Sequence, residues 1–259
     1  MRYPLALALC GLSALAWADE VKPAASAPTW AVSTGVGAAW TPEVMGGRYD
    51  HVRWLGQVSA VRDDGWFVDT RDGMGKAWQL APNWSLALLL AASDRRAQSS
   101  RIDHDTSLEG MGDIGATAQA GALLRYQQGD WKLGAKYLSN LKGGMQGQQL
   151  ALSVDYTLLT RPSAVLVLNS ALMAGDRHYM QRWFGVNAEQ AANTSFSAYQ
   201  AGGGWSQGVV GLTLLVPIDK HWQVIGRAAY LRMLGSSQDS PLVKTHGYGA
   251  GGGLVQYNW

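Results

Sequence analysis

Three observations predict a transmembrane antiparallel β-barrel of twelve strands with a short helix in a long outer loop. Apolar and polar residues alternate with a period of two over most of the chain. Trp and Tyr sit at the ends of the alternating runs. The connections alternate between short and long. The composition frames this reading. The 259 residues include 12 Trp, 10 Tyr, 3 Phe, 32 Gly and 1 Cys, and 15% are charged. Soluble domains carry about 25% charged residues and about 7% glycine. Abundant aromatics exclude a disordered chain. With 47% apolar residues and no second long apolar run, a helical membrane protein is excluded too. A net charge of +2 speaks against nucleic-acid binding.

Residues 1–18 read as a signal peptide, with Arg2 as the positive end, an apolar stretch over 5–15, and Ala16-Trp17-Ala18 as the cleavage site. Cys10 lies inside that stretch, so the mature chain has no thiol chemistry. Residues 19–29 (DEVKPAASAPT) read as a periplasmic linker, and 30–259 as an outer-membrane barrel.

Strands are expected to begin near Trp30, Asp50, Trp66, Gly75, Trp84, Gly115, Trp131, Gln148, Ser163, Gly204, Trp222 and Tyr248, the third and fourth being short. Along 115–127, Ala116, Ala118, Ala120, Ala122, Leu124 and Tyr126 form the apolar face. Along 149–158 it is Leu150, Leu152, Val154, Tyr156 and Leu158. A soluble sandwich alternates in the same way, so the aromatics decide. Trp30 and Trp40 cap one strand, Trp131 and Tyr137 another, and Trp222 and Tyr230 a third. An eight-residue separation at about 3.3 Å per residue, tilted about 40°, spans roughly 20 Å of bilayer. Trp and Tyr suit the interface because each has an apolar body and a polar tip, which Phe lacks. A sandwich would instead place its aromatics mid-strand, in the core.

Short connections at 63–65, 81–83, 128–130, 160–162 and 218–221 fall on one side, and longer ones on the other. Short periplasmic turns and long outer loops are the barrel pattern. Only the connection near Gly73 breaks this trend. Val255, Tyr257 and Trp259 share one face at the C-terminus. They resemble the signal that delivers outer-membrane barrels to the barrel assembly machinery, although that signal usually ends in Phe.

Candidate chemistry is sparse. Asp103-His104-Asp105 is the one tight His/carboxylate cluster, and it reads as part of a solvated loop rather than a metal site. No catalytic motif, cofactor loop or metal-ligand spacing is present. The inward face carries Arg53, Arg125, Lys132, Lys136, Asp155 and Arg227, a positive set that favours anions if water fills the barrel. Leu123 and Leu138 on the same face point instead to a partly filled interior.

Residues 178–191 read HYMQRWFGVNAEQA, with Tyr179, Met180, Gln181, Trp183, Phe184, Gly185 and Val186 as the distinctive block. Further stretches agree at 36–43, 110–114 and 228–243. The sequence resembles the MipA/OmpV family of outer-membrane proteins. The resemblance implies location in the cell outer membrane, contact with its lipid, and no catalytic residue or cofactor. It also implies a scaffold role in peptidoglycan remodelling. Such a scaffold joins a lytic transglycosylase to a murein-synthesising penicillin-binding protein. A small-solute, anion-leaning porin is the alternative, and an outer-membrane hydrolase a weaker one. In the expected topology the 178–186 block lies on the outer side, as a helix folding over or into the barrel mouth.

Overall fold

The computed structural model describes residues 29–42, 50–98, 108–141 and 147–259. The signal peptide with Cys10, residues 19–28 of the linker, and Asp103 to Asp105 lie outside the described residues. Twelve strands form one closed antiparallel barrel in sequence order, with the last strand paired to the first. They are β1 (Trp30–Pro42), β2 (Asp50–Arg62), β3 (Trp66–Asp69), β4 (Gly73–Ala81), β5 (Trp84–Ala92) and β6 (Ala118–Gln128). The others are β7 (Trp131–Asn140), β8 (Gln148–Arg161), β9 (Ala164–Gly175), β10 (Gly204–Pro217), β11 (Trp222–Met233) and β12 (Gly247–Asn258). The β9–β10 connection holds two helices, α1 (Arg177–Phe184) and α2 (Ala188–Asn193). No helix among the described residues is long and apolar enough to cross a membrane.

The fold class follows the alternation. On β5, Trp84, Leu88 and Leu90 are exposed while Ala87 and Leu89 are buried. On β2, Val52, Trp54 and Val58 are exposed while Gln57 and Ser59 are buried. The oily side therefore faces outward and the polar side inward, the reverse of a soluble protein and the arrangement a lipid surround requires. Aromatics cluster at the end carrying the short turns. Ring centroids lie 4.8 Å apart for Trp84 and Tyr126, 4.6 Å for Trp131 and Tyr156, and 4.8 Å for Trp222 and Tyr257. Trp40, Tyr137, Trp205 and Tyr230 stand exposed towards the other end. Lys76 is the outward cation on β4, and it lies over the Trp66 ring at 5.4 Å. Such a stem-and-head side chain tolerates the interface by keeping its ammonium at the polar level.

Three details depart from the sequence expectation. β4, expected to be short, runs nine residues from Gly73 to Ala81, as long as β5; only β3 is short. β6 begins at Ala118 rather than near Gly115, because Thr117 is held by side chains. Its N–H donates to Ser93 Oγ (2.9 Å) and its hydroxyl to Asn140 Oδ1 (2.7 Å). The connection that broke the short–long rhythm belongs to the four-residue β3. That strand pairs with β2 only at Ser59 to Val61. The β3–β4 turn therefore ends roughly 30 Å, at about 3.3 Å per residue, short of the outer end of β2. It lies within the height of the wall, so Asp69 and Asp72 are buried instead of solvated.

Leu88 lies mid-strand on the lipid face. Leu88→Arg is expected to destabilise the folded barrel by about 2–4 kcal/mol, the cost of a cation at the bilayer midplane. Urea unfolding in lipid vesicles measures it, and a change within about 0.5 kcal/mol would contradict the outward assignment.

Candidate functional site: the outer mouth and the charged lumen

α1 forms where the sequence provides a cap and an apolar stripe. Asp176 is the N-cap, and its carboxylate accepts the Tyr179 N–H at 2.8 Å. Tyr179, Met180 and Phe184 are buried on one face. They pack against Leu231 and Met233 of β11, Tyr248 and Ala250 of β12, and Val243 and Ala201. Those β11 and β12 residues point inward, so the helix sits in the outer mouth of the barrel.

The remaining residues of the block hold this plug in place. Gln181 donates from Nε2 to the Tyr199 carbonyl (3.3 Å) and accepts from the Ala201 N–H (2.9 Å). A side chain at Gly185 would collide with Gln181, so glycine is required there by close approach. Val186 bridges Tyr199 and is buried with Leu108, Met111 and Leu242. The last turn of α1 has carbonyls without helical partners. The Phe184 carbonyl accepts from Ser240 Oγ at 2.6 Å, and the Trp183 carbonyl from Arg96 Nη1 at 2.9 Å. Arg96 is 5% exposed, and burial, reinforced by the charge of Arg182, pushes its guanidinium down to about 10. It remains a cation at neutral pH and ties the β5–β6 connection to the plug.

Below the plug the lumen has an oily side and a charged side. Phe67, Ala87, Leu89 and Leu123 cluster inside the wall, with Leu138 packed against them. On the charged side Asp72 accepts from Lys136 Nζ at 2.8 Å and from Arg125 Nη2 at 3.3 Å. Asp155 accepts from Asn169 Nδ2 at 2.7 Å and faces Lys132 across the β7–β8 register. Arg53 points inward between the exposed Val52 and Trp54, and Arg227 inward beside the buried Ile225.

Asp69, Arg71 and Asp72 do not belong to the inward set read from the sequence. Asp69 ends β3, and Arg71 and Asp72 occupy the turn after it, which the strand rhythm assigns to the outside. The signal that would have found them is the shortness of β3 beside a charged turn. Trp30, Trp40, Trp131, Tyr137, Trp222 and Tyr230 all lie on the outward face, exposed by 42–54%. At the C-terminus, Tyr257 meets Trp222 and Trp259 edge-on, and the Trp259 N–H donates to the Val32 carbonyl at 3.0 Å. Among the described residues no group of His, Cys, Asp or Glu is arranged to hold a metal ion.

A family model described as MltA-interacting protein MipA matches residues 34–259, which include the plug, the lumen and the closing strand. The chain belongs to the MipA family. It is an outer-membrane β-barrel. No curated protein matches the sequence. Among solved structures, the NanC porin is similar at 11% identity and a TM-score of 0.48, covering 87% of this chain and 98% of its own. An outer-membrane channel from Pseudomonas putida F1 is 12% identical with a TM-score of 0.44, covering 93% and 100%. Pseudomonas putida OprB is 6% identical with a TM-score of 0.47, covering 90% and 94%.

In this MipA-family barrel one group of the outer connection titrates near neutrality. Burial pushes the Asp94 carboxyl up to about 6, although Lys136 pulls the other way. The folded state thus holds this proton more tightly than the unfolded chain. The resulting stability is full below about pH 4 and is lost as pH rises to about 6. Thermal unfolding of Asp94→Asn against the parent is expected to show coincident midpoints near pH 4 and a more stable variant above pH 6. A constant offset across that range would contradict it.

Proposed function

We propose that this chain is a non-enzymatic outer-membrane scaffold that holds a lytic transglycosylase of the MltA kind at its periplasmic side. The observation that carries this reading is the family match over residues 34–259, whose description names a protein interacting with MltA. A murein-synthesising penicillin-binding protein is the second partner such a scaffold joins. The occupied outer mouth supports the reading, because a helix packed against the inward side chains of β11 and β12 suits an anchor better than a wide pore. The periplasmic rim is a set of short, stiff turns. In one, Arg62 donates to both oxygens of Asp64 (2.7 and 2.5 Å) and holds that carboxyl below the usual range. In another, Asp219 accepts the N–H groups of Trp222 (2.8 Å) and His221 (2.7 Å), with the same effect. Rigid rims of this kind lose little entropy on docking.

A second reading, conduction of small anions, is favoured by the cationic surplus of the lumen. One set of preparations tests both. Envelopes solubilised in mild detergent are expected to yield the transglycosylase and the penicillin-binding protein with the full mature chain. Less of either is expected when residues 19–28 are deleted. The same barrel is expected to be silent in planar bilayers. Discrete anion-selective conductance without capture of either enzyme would overturn the scaffold in favour of the pore.

A further inference from the structure

The β9–β10 connection lies at the end of the barrel opposite the short turns. It holds a cleft of about 620 Å³ between α1, the start of α2 and the segment 198–200. Small-molecule sites span about 300–1,000 Å³.

The floor of the cleft is fixed. Its least exposed side chains are Val186, Gln181 and Tyr199. The Val186 N–H donates to the Tyr199 carbonyl (2.9 Å), and the Tyr199 N–H to the Val186 carbonyl (2.8 Å). The Gln181 amide is used up at both ends, on the Tyr199 carbonyl and the Ala201 N–H. The Tyr199 hydroxyl donates to the Ser236 carbonyl at 2.7 Å. Burial, and then the charge of Asp239, push that phenol above its ordinary range, so it stays neutral. What the floor offers a ligand is therefore mainly apolar: the Val186 side chain and the Tyr199 ring.

The rim offers donors. Arg177, Asn187 and Gln200 line the cleft and are exposed. The Arg177 guanidinium and the Gln200 amide engage no described residue. Asn187 Oδ1 accepts the Gln190 N–H at 2.8 Å, which leaves Nδ2 open. The remaining lining residues, Ala188 and Ala198, are too small to cover the floor. Among the described residues no carboxylate lines the cleft. Glu189, in the first turn of α2, is exposed and outside the lining.

These features select a ligand chemistry. One cation matches one negative charge, whereas a phosphate dianion would leave a charge uncompensated. A planar carboxylate takes two parallel N–H bonds from a guanidinium. The amide N–H groups of Asn187 and Gln200 suit its remaining lone pairs. An apolar body is needed to cover Val186 and the Tyr199 ring.

We propose that this cleft binds a small organic carboxylate from the external medium, with the carboxylate at Arg177 and the apolar body over Val186 and Tyr199. The site stands independently of the scaffold reading and does not require that the lumen conduct.

The test uses the full mature chain in lipid nanodiscs, with benzoate as the probe and benzamide as its neutral counterpart. Saturation-transfer NMR measures binding, and empty discs give the contribution of lipid. Benzoate is expected to saturate the protein and benzamide to bind about tenfold more weakly. Arg177→Gln is expected to raise the half-saturating benzoate concentration about tenfold, the loss of one charge-assisted hydrogen bond. It also removes the preference for benzoate over benzamide. Ala198→Trp fills the cleft while leaving Arg177 in place, and is expected to abolish binding of both probes. Arg177 and Ala198 are exposed, so both variants keep the fold. Arg161→Gln, at the short-turn end of β8, leaves binding unchanged. Benzamide binding as tightly as benzoate, a benzoate signal that does not saturate beyond that of empty discs, or one that survives Ala198→Trp would overturn the site.

Discussion

The constraint on which the structure depends is that lipid offers no partner to a backbone N–H or C=O. A strand crossing the bilayer must find its partners in neighbouring strands, and the row of strands must close on itself. Here closure falls between β1 and β12, paired from Ser33 with Asn258 to Trp40 with Gly251. The glycines concentrate at this seam for a steric reason. A side chain at Gly37 would strike the Gly253 carbonyl, and one at Gly252 would lie 2.5 Å from the Ala38 carbonyl oxygen. The outward faces left bare are covered by rings from neighbouring strands. Trp40 lies over Gly249 and Gly251, and Tyr230 over Gly247. Aromatic cover of glycine lets adjacent strands come close without exposing backbone to lipid.

Closure inverts the usual economy of a fold. The apolar residues are spent on the outside, so the inside must be held by polar contacts and by whatever apolar groups remain. The short β3 supplies the acidic component. Had it matched its neighbours in length, Asp69 and Asp72 would sit beyond the outer rim, and Arg125 and Lys136 would face each other with no carboxylate between them. By ending early, β3 brings a turn inside the wall. Asp72 then neutralises two cations from different strands at once. A carboxylate so placed fixes the relative positions of β3, β6 and β7 in a region that the lipid-facing side chains cannot order.

The exterior was largely legible in the sequence because it is governed by local periodicity. Alternation, girdle aromatics and the starts of nearly all strands need only neighbouring residues and a period of two. The interior was legible where it lay on long strands, as with Arg125, Lys132 and Lys136. It was illegible where it depended on strand length, as with Asp69, Arg71 and Asp72. No local pattern marks a turn as lying inside a wall, since that depends on how far its neighbours extend. The plug shows the same boundary. The Asp176 cap and the apolar face of α1 are local. The ties from Arg96 to Trp183 and from Ser240 to Phe184 span 87 and 56 residues, and only the closed barrel brings those pairs together.

The plug and the lumen bear on each other through that closed geometry. α1 is fixed by buried apolar contacts to β11 and β12, while Arg227 points into the lumen deeper on β11. The strand that seats the helix thus also sets one wall of the charged space beneath it. A rigid wall conveys a change at one level to another, because its side chains are registered along the strands rather than held on separate loops. β11 and β12 seat the plug while β6 and β7 carry the cations that pair with Asp72, so one closed barrel holds both levels. The short turns lie at the other end of those strands, outside this packing.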